Sequence, residues 1–163
     1  MNAVGLWLVK TQTIGTAVAN VTVTGAFSST YDNYLVTLSG GTMSAAGAIH
    51  MRLGASNTGY YGFLIYGDAT TNTVLGAGRN NLDYAYFVGG VQGANQSATV
   101  FTHVMNPGRA AYTRFVGGAY QNGNGYGTMQ SEHRVATAFT DFLLQPEAGT
   151  FTGGTIRVYG YRN

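Results

Sequence analysis

Ala111-Tyr-Thr-Arg-Phe-Val-Gly-Gly-Ala-Tyr120, then Asn122-Gly-Asn-Gly125, then Tyr126-Gly-Thr-Met-Gln-Ser-Glu-His-Arg134 decide how this 163-residue chain is read. Asn and Gly accept the positive φ that a tight hairpin turn demands, and the flanking runs are rich in aromatic and small residues. The stretch predicts two antiparallel strands joined by a hairpin turn. The same period of two recurs outward in both directions. Ile49, Met51 and Leu53 alternate with His50 and Arg52; Val100, Thr102 and Val104 with Phe101, His103 and Met105; Ile156 and Val158 with Arg157, Tyr159 and Tyr161. Each is a strand with two distinct faces.

Helix formers are scarce: Lys10 is the one Lys, and Glu132 and Glu147 are the only Glu. Strand segments are predicted at 5–12, 17–26, 33–39, 47–54, 59–66, 72–76, 83–88, 97–105, 111–120, 126–134, 138–145 and 154–162, condensing to about ten strands. Further turns are expected at Gly40-Gly41, Asn80-Asn81, Gly89-Gly90, Asn106-Pro107-Gly108 and Gly153-Gly154. Short, regularly punctuated strands predict an all-β fold, an antiparallel β-sandwich of jelly-roll type, with residues 1–163 as one domain. No linker or repeat interrupts it.

Hydrophobic residues make up 45% of the chain and charged residues only 9%, against roughly 25% charge in an ordinary domain. A surface carried by Thr, Ser, Asn, Gly and Tyr suits wide contact with protein or glycan. The net charge of +2 and scattered Arg residues argue against nucleic acid as a partner. No apolar run approaches the roughly 18 residues of a spanning helix, so no membrane insertion is expected. The start, Met1 to Lys10, reads as a first strand and not as a signal peptide. With no Cys, disulfides and thiolate chemistry are excluded.

Acid–base chemistry needs two convergent titratable groups. The acids are Asp32, Asp68, Asp83, Glu132, Asp141 and Glu147. Asp32 and Asp68 sit in turn sequences, where a short carboxylate bonds its own backbone. Glu132-His133-Arg134 resembles a catalytic string, but neighbours on a strand point to opposite faces, so Glu132 and Arg134 read as a surface ion pair. His50, His103 and His133 lie on separate strands without ligand spacing and read as half-exposed polar-face residues. No Gly-x-Ser-x-Gly is present, and Asn20-Val-Thr22 and Asn95-Gln-Ser97 are chance matches to the glycosylation pattern. No catalytic residue, metal site or cofactor is expected.

Tyr60-Tyr61-Gly-Phe63, Tyr84-Ala-Tyr86-Phe87 and Tyr159-Gly-Tyr161 place tyrosines on strand faces that cannot all be core. Tyr bridging core and rim accounts for about half of them; the remainder predicts an interface, since Tyr offers rigid area with a hydroxyl. The expected interface residues are Trp7, Tyr60, Tyr61, Tyr84, Tyr86, Tyr159 and Tyr161. Trp7 could anchor in a partner's pocket, although burial in its own sandwich is the stronger expectation.

Three segments carry a family resemblance: Gly5-Leu-Trp-Leu-Val-Lys-Thr-Gln-Thr-Ile-Gly15, Val21-Thr-Val-Thr-Gly-Ala-Phe-Ser-Ser-Thr-Tyr-Asp-Asn-Tyr34 and Thr152-Gly-Gly-Thr-Ile-Arg-Val-Tyr-Gly-Tyr-Arg-Asn163. Together they resemble small virion structural proteins and tail-fibre-tip domains of tailed bacteriophages. The resemblance implies a non-enzymatic β-sandwich on the virion surface, often a homotrimer, with the major capsid or tail proteins as partners. A capsid decoration (cement) protein is the favoured expectation, because little chain precedes the first strand. A tail fibre or spike module that binds receptor, such as host surface glycan, is the alternative.

Overall fold

The computed structural model describes residues 5–91, 93–121 and 125–162, with the side chains of 119–121 left aside. Twelve strands and no helix make up the described chain: β1 (Leu6–Thr13), β2 (Val21–Val23), β3 (Asn33–Met43), β4 (Gly47–Leu53), β5 (Tyr60–Asp68), β6 (Thr73–Leu82), β7 (Ala85–Val91), β8 (Ser97–Met105), β9 (Thr113–Gln121), β10 (Gly125–His133), β11 (Phe142–Pro146) and β12 (Phe151–Tyr161). All pairings are antiparallel.

Eight of these strands form a jelly roll. One layer runs β1-β12-β3-β8 and the other β2-β11-β4-β7. This is the nested order that arises when a long antiparallel ribbon folds over on itself. Two hairpins widen the first layer: β9-β10 pairs with β8, and β5-β6 pairs with β10, giving β8-β9-β10-β5-β6. Strand β8 makes this possible. One of its edges pairs with β3, while the other is divided between β7, at Val100 and Thr99, and β9, from Thr102 to Met105. The assembly is hydrogen-bonded into one open sheet.

A single apolar core lies between the layers. Tyr34, Val36 and Leu38 of β3, Ile156 and Val158 of β12, and Val100 and Val104 of β8 meet Ile49, Met51 and Leu53 of β4 and Phe142 and Leu144 of β11. Phe27 stacks on Phe142 at 5.4 Å between ring centres and meets Tyr34 edge-on at 4.9 Å. The Tyr34 hydroxyl donates to the Ser28 carbonyl at 2.9 Å and accepts from the Ser28 amide at 2.8 Å, so a buried phenol stays satisfied.

Each of the twelve predicted segments overlaps one strand, and β6, expected over 72–76, runs on to Leu82. The turn of the decisive hairpin, 122–124, lies outside the described residues, but Gln121 pairs with Gly125 and the ladder continues to Thr113 and His133. Of the other expected turns, only Asn106-Pro-Gly closes one, with the Arg109 amide donating to Asn106 O at 3.2 Å. Gly40-Gly41, Gly89-Gly90 and Gly153-Gly154 lie inside β3, β7 and β12, and Asn80-Asn81 lies inside β6. Chains approach there too closely for a side chain: a Cβ on Gly41 would strike the Gly153 carbonyl, and one on Gly89 the Thr99 carbonyl. Asn81, at φ 53°, is a bulge whose side-chain oxygen accepts from the Gly59 amide at 3.0 Å.

Gly89→Ala therefore forces apart the pairing that links the two layers. Overpacking of this kind costs about 1–3 kcal/mol, and the melting temperature is expected to fall by roughly 2–12 °C. Gly67→Ala, where an added Cβ meets nothing within 4 Å, should leave it unchanged or slightly raised. Thermal unfolding followed by circular dichroism checks both.

Candidate functional site

The outward face of the widened layer is the largest feature the jelly roll leaves uncovered. Register places one residue from each of eight neighbouring strands in a single row: Leu8, Tyr159, Leu35, His103, Val116, Gln130, Phe63 and Gly78. The rows on either side carry Leu6, Tyr161, Met105, Arg114, Glu132 and Tyr61, and Arg157, Thr37, Phe101, Thr128 and Ile65.

The two halves of this face differ in chemistry. Across β1, β12, β3 and β8 it is the more apolar half: Leu6, Leu8 and Phe101 are 45%, 57% and 56% exposed, with Thr11, Asn33 and Thr37 as the uncharged polar residues of the same rows. Arg157 is the charged side chain in these rows. Two of its polar side chains pair with each other, as Tyr161 Oη lies 2.8 Å from His103 Nδ1, with the rings stacked at 5.7 Å. Four strands and three rows cover roughly 400 Å² in projection, polar and apolar side chains together; the largest apolar patch on an ordinary soluble monomer is of similar size and is often functional.

Across β9, β10 and β5 the face hollows into an open cleft of about 360 Å³, lined by Tyr61, Phe63, Arg114, Val116, Gln130, Glu132 and Arg134 among others. Glu132 divides its carboxylate between two cations: Oε1 lies 3.3 Å from Arg134 Nε, and Oε2 lies 3.4 Å from Arg114 Nε. The Arg134 guanidinium rests on the Tyr61 ring, 4.2 Å from its centre.

The expected interface residues separate on this framework. Tyr61 lines the cleft, and Tyr159 and Tyr161 belong to the apolar half. Tyr60 is a correction: it is 1% exposed, its hydroxyl accepts from the Leu53 amide at 2.8 Å, and burial pushes its phenol up to about 12. Strand alternation sends Tyr60 inward and Tyr61 outward. Trp7 is a correction of the opposite kind. It is 48% exposed at the sheet edge, with Arg162 5.2 Å above its ring, and it lines a second cleft with Thr30 and Tyr31.

Tyr84 and Tyr86 lie elsewhere, capping His50 with ring-centre distances of 4.4 and 4.1 Å. A bulge brings them there: Tyr86, Phe87 and Val88 all stand between the partners of Ile49 and Met51, opposite His50 alone. Phe87 absorbs the extra length at φ 64°, a strained value for so bulky a residue. His50 and His133, expected on half-exposed polar faces, are 1% and 0% exposed. His133 Nε2 contacts Ser56 Oγ at 2.8 Å and Thr58 O at 3.2 Å, whereas neither nitrogen of His50 has a partner.

The six acids are held separately. Asp32 pairs with Arg109 at 2.7 Å and Asp83 with Arg52 at 2.9 Å; Asp68 accepts from the Thr70 and Thr71 amides at 2.8 and 3.2 Å. Asp141 accepts from the Gly25 amide at 2.8 Å and Glu147 from the Ala48 amide at 3.1 Å, leaving Glu132 in the cleft. Among the described residues no three His, Asp or Glu gather as a metal site. No protein-family profile matches the chain, and no curated protein matches it.

Burial, reinforced by the Arg79 charge, lowers His50 from 6.5 to about 3. Between these values the unfolded chain takes up a proton that the folded chain refuses. Stability is therefore complete above pH 6.5 and falls as the pH drops, by about 1.4 kcal/mol per pH unit for this group. His50→Phe should remove that part of the slope between pH 6.5 and 5. It should also match or exceed the native stability at pH 7, since two unpartnered buried nitrogens disappear. Urea unfolding at both pH values checks this.

Proposed function

We propose that this protein is a non-enzymatic structural component of a tailed-phage virion surface, built as a homotrimer and acting as a capsid decoration protein. The observation that carries the reading is the apolar half of the outward sheet face, where Leu6, Leu8 and Phe101 stand exposed. Symmetric assembly around this face hides surface that a lone subunit would leave sticky. The separate pairing of all six acids supports a role without turnover, since no two share a cleft described above. A decoration protein needs wide complementary contact and no titratable centre: it stabilises a shell by binding the assembled form in preference to the loosened one. The jelly roll itself hosts many functions and adds only analogy.

The Arg- and Tyr-lined cleft favours a second reading, a fibre or spike module that binds receptor. Virions stripped of the protein separate the two. Loss of resistance to heat and low salt supports decoration; intact particles that fail to adsorb to cells support the fibre module.

The purified protein should scatter light as a species of three times 17.2 kDa at micromolar concentration. Leu8→Arg combined with Phe101→Arg should yield monomers with an unchanged β-type circular dichroism spectrum, because each places an unpaired charge in the contact. A native monomer would overturn the trimer. Absence of the chain from purified particles, by mass spectrometry, would overturn the virion assignment.

A further inference from the structure

In a chain with eight Lys and Arg and six Asp and Glu, three charged side chains converge on the cleft, two cations against one anion. Tyr61, Glu132 and Arg114 stand directly opposite one another on β5, β10 and β9. Glu132 engages each guanidinium through Nε. The terminal amino groups of Arg114 and Arg134 make no hydrogen bond among the described residues, and neither does the Gln130 side-chain amide. Only the Arg134 contact is a hydrogen bond, and in neither pair is a terminal amino group, the donor that would grip a planar anion in bidentate fashion, the atom nearest Glu132.

The next row supplies an apolar floor and a polar edge: Phe63, 53% exposed, beside Gln130. The two rows lie roughly 7 Å apart, room for one sugar ring to rest its C–H face on Phe63 beside the Arg134 guanidinium stacked on Tyr61. We propose that this cleft binds a saccharide carrying a ring carboxylate, a uronic or sialic acid unit of a surface polysaccharide. The carboxylate meets the outer donors of Arg114 and Arg134, the hydroxyls meet Gln130, and the ring lies on Phe63. An acidic peptide fits less well. The cleft lies on a sheet face whose backbone groups are already paired across β9, β10 and β5, so an extended chain finds no ladder to join. This inference rests on the cleft and not on where the protein sits in a particle.

Calorimetric and NMR titration of the full chain tests it. The probes are oligogalacturonate, a sialyl-oligosaccharide, a matched neutral galacto-oligosaccharide, pentaglutamate and inorganic phosphate. At least one acidic saccharide should bind at least ten times more tightly than the neutral one, and the pair of acidic probes tells uronate from sialate. Arg114→Ala and Arg134→Ala should each weaken binding about tenfold, roughly 1.4 kcal/mol. Glu132→Gln, which removes a negative charge from beside the incoming carboxylate, should tighten it severalfold, an outcome that damage to the fold would not produce. Equal binding of the neutral sugar, pentaglutamate or phosphate would overturn the proposal. So would no binding of either acidic probe by a protein that retains its circular dichroism spectrum. Oligomeric mass and particle content are read independently, so failure here is distinguishable from failure of the structural role.

Discussion

Strand β8 is the constraint on which the rest of the structure depends. Its one edge is committed to β3, and its other edge is shared between β7 at one end and β9 at the other. The first share joins the layers of the jelly roll; the second starts the β9-β10-β5-β6 extension. Because both use the same edge, β7 has to approach β8 closely where they cross, and the absence of a side chain at Gly89 permits it. An open sheet that is widened on one layer leaves the outward face of that layer uncovered. The interaction face is thus a consequence of the strand order.

Much of this was legible in the sequence, and the limits have physical causes. Period-two alternation names strands and sorts residues between faces, so Glu132 and Arg134 were expected together, with His133 opposite. Alternation cannot tell which face another layer will cover. Tyr60 and Tyr61 are adjacent and chemically identical, yet one is core and the other lines the cleft. Glycine pairs were ambiguous for a related reason: Gly permits a turn and also permits close approach of two backbones, and only long-range pairing decides which. The Arg114–Glu132–Tyr61 row joins residues far apart in the chain through register, which single-chain periodicity does not carry.

The two halves of the face also differ in what holds them. Exposed ion pairs such as those of Glu132 contribute little to stability, about 0–1 kcal/mol each. Three charges gathered in a charge-poor chain therefore have weak justification as fold stabilisers. The Leu and Phe side chains of this face leave about half of their surface in water, and that surface favours association at roughly 25 cal/mol for each Å² removed from solvent. Neither half is explained by the folding of one chain, and their chemistries call for different partners.

His50 shows how the same architecture absorbs a local conflict. A polar ring buried without partners is costly, and so is a phenylalanine at positive φ. Here the two occur together, because the bulge that strains Phe87 is what brings Tyr86 over the imidazole and closes it from water. Arg79 then stacks on Tyr86 and Phe87 at 4.6 and 5.1 Å, tying β6 down to β7. Strand β6 is the outermost strand of the extension, bonded along one edge only. The aromatic cluster thus anchors the margin of the widened sheet from its inner side. The outward face can remain free for contact because the rigidity of that margin comes from beneath it.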